Sequence, residues 1–413
     1  MLNKNNEREL AYVVIIDDII PIEGADRVEQ AVVGGWHVMT RKGQFEPGNA
    51  AIYFEIDSKV PETEPFEFLA PKHYKVKTQK YFKGTVISQG LLMSAEDFGW
   101  TTQVEPLGGV KTEVIVDNNG KGHYADDESR FLTAALGVTY AEASDNQRKA
   151  AFADKYKKMA QRHGQLFSHQ PFKWLMKRDW GKKLLFTFFG RKKDKKSNWP
   201  TWVAKTDEER IQNMPWILND KEPWVATEKI DGTSTTFTIK RKPFGKYDFY
   251  VCSRNVCFDK PNQKCFYETN VYTEIAEKYN IEAKLKSMLF CEDMFADCEW
   301  ITIQGETYGP GIQKRDYHMP AHEFMAFNFI TSKDGRWGTE KMVDLLQTDM
   351  SIPCVPILDA NFILPDTVEE LLTYATGESV HDHDLREGIV FRSKDGSKSF
   401  KAVSNEFLLK YHQ

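Results

Sequence analysis

The run Glu228–Lys229–Ile230–Asp231–Gly232–Thr233–Ser234, set between the apolar Val225–Ala226 and the alternating Thr236–Ile239, constrains this chain more than any other feature. A lysine followed by x-Asp-Gly after a strand puts an amine at a tight turn between two strands. Gly232 permits the turn, and Asp231 is short enough to bond the backbone or a ribose beside it. Surface hairpins also read Lys-x-Asp-Gly. Taken alone, the run leaves both a reactive amine and a solvated turn open.

The rest of the chain narrows the choice. Its 413 residues suggest two or three domains. Hydrophobic residues make up 41% and charged residues 28%, the balance of an ordinary soluble enzyme. No run of about 18 apolar residues occurs, so no membrane span is expected. The polar stretch Met1–Glu9 has no apolar core, so no signal peptide is expected. The six cysteines form no CxxC pair and no disulfide framework, so buried free thiols in a reducing cytoplasm are expected. A net charge of −5 argues against coating nucleic acid, but not against gripping it locally.

From about Arg8 to Gly99 short β-rich runs alternate with Gly and Pro, among them Ala11–Ile16, Ala31–Thr40 and the strongly apolar Ala50–Asp57. That spacing suggests a small barrel such as an OB-fold, bounded at 1–100. Within it Lys72, Lys75, Lys77, Lys80 and Lys83 interleave with His73, Tyr74, Tyr81 and Phe82. Basic residues alternating with rings fit a strand-tracking surface, and equally a solvated loop with partly buried tyrosines. Residues 101–198 read as a mainly helical, basic insertion, with a long helix over Tyr140–His163. Between Lys173 and Lys196 ten basic residues face two acidic ones, threaded with Trp174, Trp180, Phe186, Phe188 and Phe189. This stretch fits a linker, a docking element or a nucleic-acid contact. Residues 199–413 alternate strands and helices.

Five further elements follow the Lys229 turn in order. They are Cys252–Asn255, Ile303–Gly309, Phe324–Phe329, Arg386–Arg392 and Ser399–Val403. Together with Glu228–Ser234 they resemble the ordered motifs of the covalent nucleotidyltransferase superfamily of ligases and capping enzymes. The resemblance implies Lys229 as nucleophile and Arg254 near the substrate phosphate. It further implies Glu306 at the ribose, Phe327 stacked on the base and Lys401 on phosphate, with Glu228, Asp231 and Gly232 completing the nucleotide site.

The chemistry of these residue types agrees. A lysine amine with a pKa of about 10.4 is a poor nucleophile near neutral pH. Burial and neighbouring cations such as Arg254 and Lys401 are expected to lower that value and then to stabilise charge on the α-phosphate. Mg²⁺ or Mn²⁺ is expected to orient the leaving pyrophosphate, with Glu387 as the metal ligand.

Glu228 directly before the lysine, Gly-Thr-Ser after the aspartate, Gln304–Gly305–Glu306 continuing to Gly309–Gln313, and the upstream Lys205–Asn213 resemble RNA ligases rather than DNA ligases or capping enzymes. Those enzymes carry an OB domain after the last motif, and none is expected here, where Gln413 follows Lys401 by twelve residues. Here the candidate barrel comes first. Gly35–Val38, Gly48–Tyr53 and Ile56–Pro61 resemble the N-terminal module of the Deinococcus-type RNA ligase family. The fold this implies is α+β, with an OB-fold-like barrel, a helical insertion and a nucleotidyltransferase domain of ATP-grasp-like antiparallel sheets. Its activity is ATP-dependent joining of RNA 3′-OH and 5′-phosphate ends, on RNA or an RNA-containing nicked duplex, with Lys75, Lys77, Lys80 and Lys83 on the nucleic acid. No membrane and no protein partner is implied, and the location expected is cytoplasmic. One departure is plain: Ser399 stands where many ligases carry a lysine, and Lys398 is the candidate replacement. A guanylyltransferase and a catalytically inert nucleic-acid binder are the rival readings.

Overall fold

The computed structural model describes residues 1–107, 110–141, 170–176, 178, 180–182, 184–185, 199–258, 265, 267 and 269–411. The N-terminal module is built on the antiparallel sheet β1 (Ala11–Ile15), β5 (Ala50–Phe54) and β9 (Leu91–Met93), in the order β1-β5-β9. Beside it lies the meander β2 (Asp18–Pro21), β3 (Val28–Val33) and β4 (Trp36–Arg41). Short strands β6 (Ser58–Lys59), β7 (Gln79–Tyr81) and β8 (Val86–Ser88) complete this OB-fold module.

Every residue of β5 is buried, because alternate side chains enter two different cores. Tyr53 and Ala51 join Tyr12, Trp36, Val38 and Leu92. Ile52 and Phe54 join Val13, Phe66, Val76 and Met93, and with them Ile115, Leu132 and Val138. The second core therefore draws on residues beyond 100. Strands β10 (Thr101–Leu107), β11 (Val110–Val116) and β12 (Gly122–His123) form an antiparallel sheet against the barrel, and β13 (Thr139–Tyr140) pairs with β6. Up to Ala141 the described part of residues 101–198 is strands, turns and the short 3₁₀ helix Glu128–Arg130, not the mainly helical insertion expected. Ile115, Leu132 and Val138 complete the cover over the second face of β5. The helix expected over Tyr140–His163 lies, past Ala141, outside the described residues, as does much of Lys173–Lys196. Its described part includes the helix Gln170–Met176 with Trp174 and Trp180 exposed.

The C-terminal domain is two antiparallel sheets face to face. One has the order β17 (Cys257–Phe258), β16 (Tyr247–Ser253), β15 (Thr233–Arg241), β18 (Trp300–Tyr308), β19 (Glu323–Thr331), β20 (Gly335–Arg336). The other runs β21 (Ile357–Phe362), β14 (Trp224–Lys229), β22 (Gly388–Ser393), β23 (Ser399–Val403). Helices Val271–Lys278 and Ile281–Cys291 cover the outer face of the first through Ile275, Leu285, Met288 and Leu289. Helix Val368–Ala375 covers the second, its start fixed by a Thr367–Glu370 capping box.

The N-terminal module docks on this second layer. Leu2 N–H donates to Asn213 O at 2.8 Å, Arg210 lies 5.7 Å from the Trp36 ring, and Lys80 Nζ caps the helix Asn405–Tyr411 at the carbonyls of Leu408 and Leu409, 2.6 and 2.8 Å away. All six cysteines are free thiols, four buried, Cys265 half-buried and Cys291 exposed. No helix among the described residues is long and apolar enough to cross a membrane.

Candidate active site

Strand periodicity aims the site. In β14, Trp224 and Ala226 enter the core under helix Val368–Ala375, so Val225, Thr227 and Lys229 face the opposite sheet. Register then places partners on the same face. Thr227 pairs with Val390 and Val390 with Lys401; Val225 pairs with Arg392 and Arg392 with Ser399. Across the gap β18 presents Glu306. Phe327 comes from an irregularity in β19: Gln304 pairs with Asn328 and Gly305 with Ala326, leaving Phe327 without a partner in the ladder. A bulge of this kind turns an extra side chain out of the sheet, here into the pocket.

The cavity between the sheets, about 440 Å³ and open to solvent on one side, is lined by Lys229, Asp231, Gly232, Arg254, Glu306, Phe327, Glu387 and Lys401 among others. That size suits a small-molecule pocket. Glu228 also lines it, but its Oε2 accepts the Val380 N–H at 2.9 Å and the residue is 1% exposed. Gly232 is required for a reason the turn alone does not supply. A Cβ there would lie 2.3 Å from the carbonyl oxygen of Thr307 on β18, so the turn leaving β14 can meet the sheet of β18 only with glycine. Gly388 serves the same purpose at the start of β22, where a Cβ would meet Ala402 O at 2.1 Å.

Lys229 Nζ donates to Glu387 Oε2 at 2.6 Å. Burial pulls its pKa down, but Glu387, Glu306 and Asp231 outweigh that and the net shift is upward. The expectation that Arg254 and Lys401 depress it is corrected by this arrangement. Arg254 is turned to Asp207 at 2.5 Å, and carboxylates, not cations, are the neighbours that dominate around the amine. The repulsion falls on Lys401 instead, whose pKa is lowered by burial and then by Lys229. Burial raises Glu306 to about 8, with Lys229 opposing and Glu387 and Asp231 adding to the rise. Asp231 is raised to about 7 by burial and by Glu387.

Residues that sequence reading gave no role enter from the segment before β14. Thr206, Asp207, Glu208 and Arg210 all line the cavity. Asp207 bridges Arg254 and Lys401, the latter at 3.5 Å. Glu208 accepts from Arg392 at 3.0 Å, from Arg336 at 3.4 Å and from the Ser399 hydroxyl. Arg210 is half-buried, and its Nη1 has no hydrogen-bond partner among the described residues. The sequence signal was a dense charged string, Asp207–Arg210, that reads equally as a helix start. Lys398 does not fill the position of Ser399: it pairs with Asp220 at 2.6 Å and is well exposed.

The basic residues of the barrel do not stay together. Lys75 is 9% exposed, which removes it from any strand-tracking surface, and Lys80 is spent on the C-terminal helix. Lys77 and Lys83 are exposed. Among the described residues no group of three or more His, Cys, Asp or Glu forms a metal cage. A single carboxylate, Glu387, suits a Mg²⁺-type ion that takes its other ligands from water and substrate phosphates.

Comparison with known proteins agrees with this layout. The RNA ligase family matches residues 222–412, and an OB-fold domain matches residues 10–95. No curated protein sequence matches. Among solved structures, a lysine-to-alanine mutant of Naegleria gruberi RNA ligase with ATP and Mn aligns at TM-score 0.59 and 25% identity over 98% of this chain and 99% of that one. An arginine-to-alanine mutant with ATP and Mn gives 0.58 and 25% over the same shares. A lysine-to-methionine mutant with AMP and Mn gives 0.59 at 24%, again over 98% and 99%.

Proposed function

We propose that this chain is an RNA ligase, its ligase domain following an N-terminal OB-fold domain, and that it seals RNA 3′-OH and 5′-phosphate ends through a lysyl-adenylate on Lys229. The observation that carries the reading is the convergence, in one cavity, of the half-buried Lys229 amine with Glu306, Phe327, Glu387, Arg254 and Lys401 from six separated stretches of sequence.

The reaction runs as three nucleotidyl transfers. Phe327 stacks on the adenine with Val390 on its other face, and Glu306 accepts from the ribose. Lys229 Nζ attacks the α-phosphate of ATP, forming a P–N bond as the bond to the β-phosphate oxygen breaks and pyrophosphate leaves. The 5′-phosphate of the RNA then attacks the lysyl-AMP and releases the amine. Last, the 3′-OH attacks the activated 5′-phosphate and AMP departs.

Glu387 is the residue to hold Mg²⁺ or Mn²⁺, which when bound neutralises charge on the pyrophosphate. Held there, Glu387 would no longer accept from the Lys229 amine, which removes the largest of the carboxylate influences that raise its pKa. Arg254, Lys401 and Arg210 receive the phosphates, Asp207 giving up the first two as ATP enters. Lys77 and Lys83 contact the RNA strand, and the role is repair of a nick or break.

The test is incubation with α-labelled ATP or GTP and Mg²⁺ under denaturing readout, with Lys229→Ala alongside, followed by transfer to a nicked duplex with an RNA 3′-OH. Label from ATP that disappears in the variant and moves to the 5′-phosphate is the expected result. Label from GTP would indicate a guanylyltransferase, and none from either an inert binder.

A further inference from the structure

Behind the Lys229 turn lies a buried group of side chains with no part in the mechanism above. Tyr317 Oη accepts the backbone N–H of Asp231 at 2.7 Å, and the tyrosine packs in a small cluster with Ile230 and, at its margin, Phe327. Tyr317 and His318 both have left-handed backbones, φ 55° and 53°, a conformation that non-glycine residues keep only when their surroundings hold it. The Arg315 guanidinium lies 4.1 Å from the centre of the Tyr317 ring and pairs with Asp382. Arg315 is 3% exposed, and its Nε and Nη1 find no hydrogen bond among the described residues. A buried cation so thinly paired costs stability that a methionine of similar length would not.

The contacts close a ring. Glu228 Oε2 holds the N–H of Val380 at 2.9 Å. Two residues along that loop Asp382 holds Arg315, Arg315 covers Tyr317, and Tyr317 holds Asp231. Glu228 and Asp231 stand on either side of Lys229, so the ring grips both flanks of the nucleophile.

Building on the lysyl-adenylate mechanism, we infer that Tyr317 and Arg315 are positioning residues, which fix the direction of the Lys229 amine toward the α-phosphate without touching substrate. A misplacement of about 1 Å can cost a reaction about a hundredfold, so a brace on a two-sided turn has a large lever. It acts only where Lys229 is the nucleophile. Sealing of an RNA end that already carries AMP uses the same pocket but not that attack.

The test compares Tyr317→Phe and Arg315→Met with wild type in two single-turnover reactions. In lysyl-AMP formation at saturating ATP the rate constant falls about tenfold, while the half-saturating ATP concentration stays within about twofold. Sealing of a pre-adenylylated nick stays within about twofold. Arg315→Lys, which keeps the charge and loses the fork, falls between. The double variant is no slower than the slower single one, because both act through one brace. Wild-type adenylylation in Tyr317→Phe overturns the inference, as does a parallel fall in both reactions, which is the signature of damaged folding. Wild-type protein that takes no label removes instead the mechanism on which it rests.

Discussion

The two sheets of the ligase domain and the lysine-rich segment of the barrel began as similar signals, charged residues interleaved with apolar and aromatic ones. In the sheets the charges converge: Lys229, Glu306, Lys401 and Arg392 face one cavity from four strands. In the barrel they scatter, Lys75 inward, Lys80 onto a helix end, Lys77 and Lys83 outward. The difference lies in the backbone. A strand alternates side chains between two faces, and ladder pairing repeats the same choice on its neighbours. Between Lys72 and Lys83 the chain is a 3₁₀ turn, a loop and a three-residue strand, with positive φ at His73, Tyr74, Phe82 and Lys83. No periodicity survives such a path.

The comparison breaks most sharply at Lys229. Its replacement by alanine removes the attacking atom, and ATP labelling is expected to fall by more than about a thousandfold. Survival of label would put the nucleophile elsewhere. Arg210→Ala comes next, with a loss of about a hundredfold in the rate of lysyl-AMP formation, since it deletes a preorganised cation from a largely buried site. An unchanged rate would make Arg210 a docking residue for Trp36 alone.

On the barrel side the effects are smaller. Lys77→Ala with Lys83→Ala is expected to weaken RNA binding several-fold and to reduce its salt dependence by about two phosphate contacts, leaving adenylylation unchanged. Lys80→Met is expected to lower unfolding stability by about 1 kcal/mol in urea titration while leaving RNA affinity at its wild-type value, because the amine is spent on two carbonyls of a helix end. A larger loss of RNA affinity than of stability would return Lys80 to the nucleic-acid surface.

The smallest expected effect is on pH. Burial raises Glu306 to about 8 and Asp231 to about 7 in the folded chain, against ordinary values of 4.5 and 3.8. Between about pH 5 and 8 the folded state therefore holds protons that the unfolded state has released. The contribution of these two groups to stability falls as pH rises through that window, and Glu306→Gln is expected to remove its share of that slope from the thermal midpoint. A midpoint that climbs from pH 5 to 8 and is indifferent to Glu306→Gln would contradict it.

Much of the site was legible before folding. The Lys229 turn, Glu306, Phe327, Glu387 and Lys401 stand in short strings whose order along the chain carries the information. Gly232 was legible as a glycine but not for the right reason: the constraint is the carbonyl of Thr307, some seventy residues away in sequence. Arg210 and Glu208 were hidden, because a charged string before a strand looks the same whether it lines a pocket or meets water. The strands after residue 100 were hidden too, since only the second face of β5 calls for them.

What the sequence by itself determined is the Lys229 turn, the ordered short strings that follow it and the chemistry their residues carry, because period-two alternation and residue type are local properties that survive in any correct pairing. Tertiary structure decided which charges meet. The carboxylates that hold Lys229 protonated, the bulge that turns out Phe327, the Asp207 bridge between two cations and the Arg315–Tyr317 brace all depend on distances between segments far apart in the chain. Electrostatic and packing energies vary with those distances, and no linear spacing encodes them.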